Sequence, residues 1–101
     1  MRILEAGTHQ GWVEEYRFHP VRRWRLDFAH PESKVGVEIQ GGIWTRGRHS
    51  RGAGQVADME KANQLMYMGW ALFQIPASAS ESAMRDECAA INAFIEERLR
   101  A

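Results

Sequence analysis

Trp24-Arg25-Leu26-Asp27-Phe28-Ala29 and Val35-Gly36-Val37-Glu38-Ile39-Gln40, divided by His30-Pro31-Glu32-Ser33-Lys34, decide how this chain folds. Both runs alternate. Trp24, Leu26 and Phe28 oppose Arg25 and Asp27; Val35, Val37 and Ile39 oppose Gly36, Glu38 and Gln40. A period of two marks a strand with one apolar face. The intervening residues hold a proline and small polar groups, the composition of a tight connection. Arg23 to Ala29 and Val35 to Gln40 are therefore expected to pair as an antiparallel hairpin.

Upstream, Glu14 to His19 alternates too, with Tyr16 and Phe18 against Glu15, Arg17 and His19, until Pro20 interrupts it. Downstream, Gly41 to Gly54 is a basic loop in which five glycines are mixed with Arg46, Arg48, His49 and Arg51. Gln55 to Met68 has helical spacing at Val56, Met59, Ala62 and Met66, with Asp58 and Glu60 in the opening turns and Gly69 as its stop. Trp70 to Ile75 reads as a short strand ended by Pro76. Glu81 to Arg100 reads as an amphipathic helix with Met84, Cys88, Ile91, Ile95 and Leu99 on one side and Ser80 as its N-cap. Phe94 and Ile95 are candidates for core or dimer contacts. Met1 to Gly11 is read as a short helical turn. The order strand-strand-strand-helix-strand-helix predicts an α/β domain with a mixed sheet flanked by helices.

A chain of 101 residues suffices for one core, so residues 1–101 are expected to form a single domain. With 45% hydrophobic and 26% charged residues it belongs with globular rather than disordered chains. No apolar run approaches the roughly 18 residues of a membrane span, and Met1 to Gly11 lacks the layout of a secretory signal. The expectation is a cytoplasmic protein without membrane contact. Cys88, the sole cysteine, is expected to pack in the core.

The formal net charge is zero, but the charges are segregated. Tyr16 to Arg51 carries eight Lys/Arg against three acids, and the remainder carries five against ten. A chain neutral on average can thus present a basic face suited to a polyanion such as DNA, although ordinary solvation accounts for such a face as well.

Alternation places Asp27, Glu38 and Gln40 on the polar side of the hairpin, with the two carboxylates neighbours across it, or nearly so. Adjacent carboxylates repel unless a positive group lies between them. Mg²⁺, or Mn²⁺ in its place, is the expected occupant, since it takes oxygen ligands, lowers the pKa of a bound water and stabilises charge on a phosphate. His9, His19 and His30 have no spacing that points to zinc. Arg46, Arg48 and Arg51 are candidate phosphate contacts because the glycines among them let the backbone approach closely, and Arg22, Arg23 and Arg25 extend that surface. Trp44 either packs against its own domain, the commoner role, or stacks on or wedges between bases.

Glu15 to Pro20, Arg22 to Ala29, Val35 to Gly42 and Trp44 to Gly52 together resemble small phage and prophage proteins of the PD-(D/E)XK nuclease superfamily, near the very-short-patch repair endonuclease. The resemblance covers roughly Glu15 to Phe73. It implies a restriction-endonuclease-like fold and a Mg²⁺-dependent DNA endonuclease that hydrolyses phosphodiester bonds by metal-activated water. Carried across, Asp27 and Glu38 would be metal ligands, Ile39 would add its backbone carbonyl, and Glu15 would match the upstream acid of many members. Gln40 departs from the pattern, which usually has lysine there. Some members supply that lysine from the following helix, and Lys61 is the residue placed to do so. In a related scheme a loop histidine and a helix acid join the site, which His49 and Asp58 would match. As an ion pair on a helix surface, Asp58 and Lys61 would have no catalytic role.

So small a domain has little surface for reading sequence, so structure-selective or nicking activity, or dimerisation, is expected. A DNA-binding module that keeps the scaffold without cutting is the alternative, with Gln40 in its favour. A particle-assembly factor without nucleic-acid contact is a third.

Overall fold

The structure, a computed structural model, describes residues 11–41 and 53–101. Its elements are β1 (Val13–Arg17), β2 (Arg25–His30), β3 (Val35–Gln40), α1 (Ala53–Tyr67), β4 (Ala71–Pro76) and α2 (Glu81–Arg100). This is the expected order, with several ends displaced by a residue or two. The Met1 to Gly11 turn falls almost wholly outside the described residues.

The strands form one sheet in the order β1-β2-β3-β4. β1 with β2 and β2 with β3 are antiparallel, whereas β4 joins β3 in parallel. A parallel neighbour needs a crossover connection, which α1 supplies. The turn between β2 and β3 closes when the Lys34 amide donates to the Pro31 carbonyl at 3.1 Å, with Lys34 in the left-handed region at φ 57°. The domain is thus a four-stranded mixed α/β sheet with helices against it.

The two faces carry different cores. On one, Val35, Val37 and Ile75 meet Cys88, Ile91 and Ile95 of α2. Burying each aliphatic side chain contributes about 1.5–3 kcal/mol. α2 starts where expected: the Ser80 hydroxyl accepts the Ala83 amide at 3.1 Å. Ile95 is wholly buried, whereas Leu99, expected on the buried side, is 40% exposed. Phe94 lies at the rim, its ring 5.4 Å from that of Phe73.

On the other face Phe18, Leu26, Ala29 and Leu65 cluster, with Tyr16, Trp24 and Trp70 against them. Two expectations are corrected here. The helical spacing of Val56, Met59, Ala62 and Met66 pointed to a buried stripe, yet all four are exposed, and Leu65 is the buried hydrophobic residue of α1. The helix lies over a partly polar surface and turns those apolar positions outward. Leu26 and Phe28, expected on one face, belong to different clusters, Leu26 with Leu65 and Phe28 with the α2 side. Alternation breaks between them at Asp27. Leu26 finds room because its neighbour is Gly36, where a Cβ would stand 2.7 Å from Leu26 Cδ1.

Gly69 ends α1 as expected, at φ 85°. Its amide donates to Met66 O at 3.1 Å and the Trp70 amide to Leu65 O at 2.8 Å, the bond pair of a Schellman cap. No helix among the described residues is long and apolar enough to cross a membrane.

Candidate functional site

The break at Asp27 builds the site. β2 and β3 stay in register through Phe28 and Val37, which carries Asp27 opposite Glu38 at the next step. Instead of a main-chain pair there, the Asp27 carboxylate accepts the Ile39 amide through Oδ2 at 2.7 Å. A side chain thus substitutes for a ladder acceptor, and the carboxylate is fixed at the sheet surface beside Glu38. The same device orients Ile39. Amide and carbonyl of one strand residue point to the same edge, so the Ile39 carbonyl also faces β2. The Gln40 carbonyl faces the other way, where it accepts the Ala77 amide at 2.8 Å.

Asp27, Glu38 and Gln40 line a cleft of about 240 Å³ together with Asp58 and Lys61 of α1. Leu72 and Gln74 of β4 complete it. Lys61 reaches in from the helix: its ammonium forms an ion pair with Glu38 Oε2 and donates to the Arg25 carbonyl at 2.7 Å. Both partners are well shielded, with side-chain exposures of 18% for Lys61 and 15% for Glu38. Shielding strengthens the attraction and makes loss of either partner costly. The cleft's three carboxylates and one ammonium leave a formal charge of minus two, so it attracts cations and repels an unaccompanied phosphate.

The donors fit a hard cation. Carboxylates of Asp27 and Glu38, the edge-facing Ile39 carbonyl and the Gln40 amide are oxygen donors of the kind Mg²⁺ and Mn²⁺ take. Among the described residues no three His, Cys, Asp or Glu side chains form a metal-holding group. An ion here would therefore rest on two carboxylates, completed by the carbonyl and water.

The expected site residues divide into three groups. Asp27, Glu38, Ile39, Gln40, Asp58 and Lys61 converge on the cleft. Glu15 does not line it: it sits at φ 51° and pairs with Arg25 at 2.9 Å. The register of β1 and β2 sets it opposite Asp27, but its carboxylate is engaged at the surface. Arg22 and Arg23 are exposed beside β2, Arg22 lying 4.0 Å over the Trp24 ring. Trp44, Arg46, Arg48, His49 and Arg51 lie outside the described residues. Sequence reasoning missed Gln74. Its parity with Leu72 on β4 was readable, but its place beside Glu38 follows only from the parallel register.

Compared with protein-family models, curated proteins and solved structures, the chain finds no match.

Proposed function

We propose that the protein is a metal-dependent DNA endonuclease of restriction-endonuclease-like fold, hydrolysing phosphodiester bonds at the cleft of Asp27, Glu38, Gln40 and Lys61. The observation that carries this is the entry of Lys61 from α1 into the space beside Gln40, where the resembling nuclease pattern has a strand lysine. A helix lysine on Glu38 supplies the cationic group that Gln40 lacks.

Asp27 and Glu38, with the Ile39 carbonyl, hold the cation. Bound there, Mg²⁺ or Mn²⁺ supplies a water of lowered pKa and neutralises charge on the scissile phosphate. Asp27 is preset for its role by the Ile39 amide, which restrains one oxygen and leaves the carboxylate directed at the cleft. Lys61 and Gln40 position the attacking water by hydrogen bonds and stabilise the extra negative charge of the transition state. Arg23 and Arg25 bind flanking phosphates, contacts that position the duplex without reading its sequence.

The test is nicking of supercoiled plasmid with Mg²⁺ by the wild type beside Asp27→Ala and Lys61→Ala. Metal-dependent nicking lost in Asp27→Ala, and reduced roughly 10²- to 10³-fold in Lys61→Ala, is expected. Salt-sensitive DNA binding with no nicking by the wild type would replace this proposal with a binding module, which Gln40 favours. No retention on DNA at low salt would exclude both.

A further inference from the structure

Beside the cleft of Asp27 and Glu38 lies another of about 350 Å³, lined along α1 by Glu60, Asn63, Gln64 and Tyr67 and across from them by His19, Arg22 and Trp24. The chain step from Trp24 to Arg25 joins the two, because the Arg25 carbonyl holds Lys61. We propose that this cleft receives a single unpaired DNA base, so that the substrate is a duplex carrying a bulged or displaced nucleotide. The proposal rests on the nucleic-acid reading above and deepens it by naming the substrate class.

Three features carry it. The first is a stacking surface fixed before any ligand arrives. Arg22 lies 4.0 Å over the Trp24 ring, and Glu60 steadies its guanidinium at 3.5 Å. The turn beneath is tied by His19, whose Nδ1 accepts the amides of Val21 and Arg22 at 3.1 and 2.9 Å. Phe18 backs Trp24 with rings 12° from parallel. A guanidinium on an indole offers a flat cationic plane, one of the surfaces on which unstacked bases lie.

The second is Tyr67, an aromatic ring in the last turn of α1 that is 79% exposed and directed to the cleft. A globular domain gains nothing in folding from an aromatic left in water, and such a ring suits a base. The third is the pair of amides, Asn63 and Gln64. Both line the cleft, and each side-chain amide carries a donor and an acceptor suited to a base edge. Arg23 and Arg25 are exposed on the adjoining chain, where the phosphates flanking a displaced base would pass.

The experiment measures binding of the full chain, with Ca²⁺ in place of Mg²⁺ so that the cleft's charge is balanced without cutting, to two labelled duplexes of equal length. One is fully paired and the other carries a single bulged 2-aminopurine. Wild type should prefer the bulged duplex by about tenfold and quench the 2-aminopurine fluorescence. Tyr67→Ala should lose both effects while binding the paired duplex as wild type does, and Tyr67→Phe should retain them. Equal affinity for the two duplexes, or Tyr67→Ala unchanged, overturns the base site and leaves the endonuclease proposal standing. Failure to bind either duplex overturns both. Free deoxyadenosine monophosphate is the remaining arm: if it competes at the concentrations at which the bulged duplex binds, the cleft is a nucleotide site and the DNA substrate class is wrong.

Discussion

The two faces of the sheet divide the labour of the molecule. Against α2 the sheet presents Val35, Val37 and Ile75 to Cys88, Ile91 and Ile95, a continuous aliphatic layer. Against α1 the packing rests on Leu65, and beside it the same helix directs Lys61 into a charged cleft while Val56, Met59 and Met66 face water. One face holds the fold and the other holds charge in a fixed place. The difference shows how a chain this small can tolerate shielded carboxylates: the cost of the polar face is offset by burial on the far side of the same strands.

That division is broken if a change on the α1 face behaves like a core change, or the reverse. The largest effect expected is Asp27→Asn. The amide oxygen can still accept from Ile39, so unfolding stability in urea titration should hold to within about 1 kcal/mol. Nicking with Mg²⁺ should fall by roughly 10³-fold, equivalent to about 4 kcal/mol in the barrier. On the opposite face Ile91→Ala should lower unfolding stability by about 2–5 kcal/mol in urea titration, with cleavage per folded molecule unchanged.

A smaller effect is expected from Cys88. Burial, with the charge of Glu87 next, pushes its thiol pKa up. The native state then holds the thiol proton more tightly than the unfolded chain. Its contribution to stability is whole below the unfolded thiol's pKa of about 8.5 and is lost as pH rises past it. The urea midpoint should therefore fall more steeply between pH 8 and 10, roughly, in wild type than in Cys88→Ala. Least of all, Met66→Gln on the outer side of α1 should change stability by no more than about 0.5 kcal/mol. A loss of several times that figure would mean that the outward face of α1 is packed after all.

The α2 face was legible in the sequence because one period explains it. Ser80 caps the helix, and Met84, Cys88, Ile91 and Ile95 recur at helical spacing toward a single layer. α1 misled because apolar residues lie on more than one side of it. Spacing alone selected Val56, Met59 and Met66, and only the tertiary placement of Leu65 and Lys61 decides which side meets the sheet. In β2 the alternation was read through Asp27 unbroken, since a pattern of side chains does not reveal that one carboxylate will take the place of a main-chain acceptor. The meeting of Asp27, Glu38 and Gln40 was nonetheless readable from the hairpin, whereas Lys61 came from the family resemblance, which called for a helix lysine where α1 has a single one. Glu15 was not, because its left-handed backbone and its pairing with Arg25 have no signature in spacing.

The parallel pairing of β3 with β4 has a consequence for synthesis. β1 to β3 can zip together from neighbours in sequence, but the partner for the outer edge of β3 arrives only after the whole of α1 has been made. During that interval the main-chain groups of Gly36, Glu38 and Gln40 lie along an uncovered strand edge, the kind of surface on which nascent chains aggregate. Pulse-labelled hydrogen exchange during refolding should accordingly find the β4 amides protected later than those of β2, and simultaneous protection would refute this order of events.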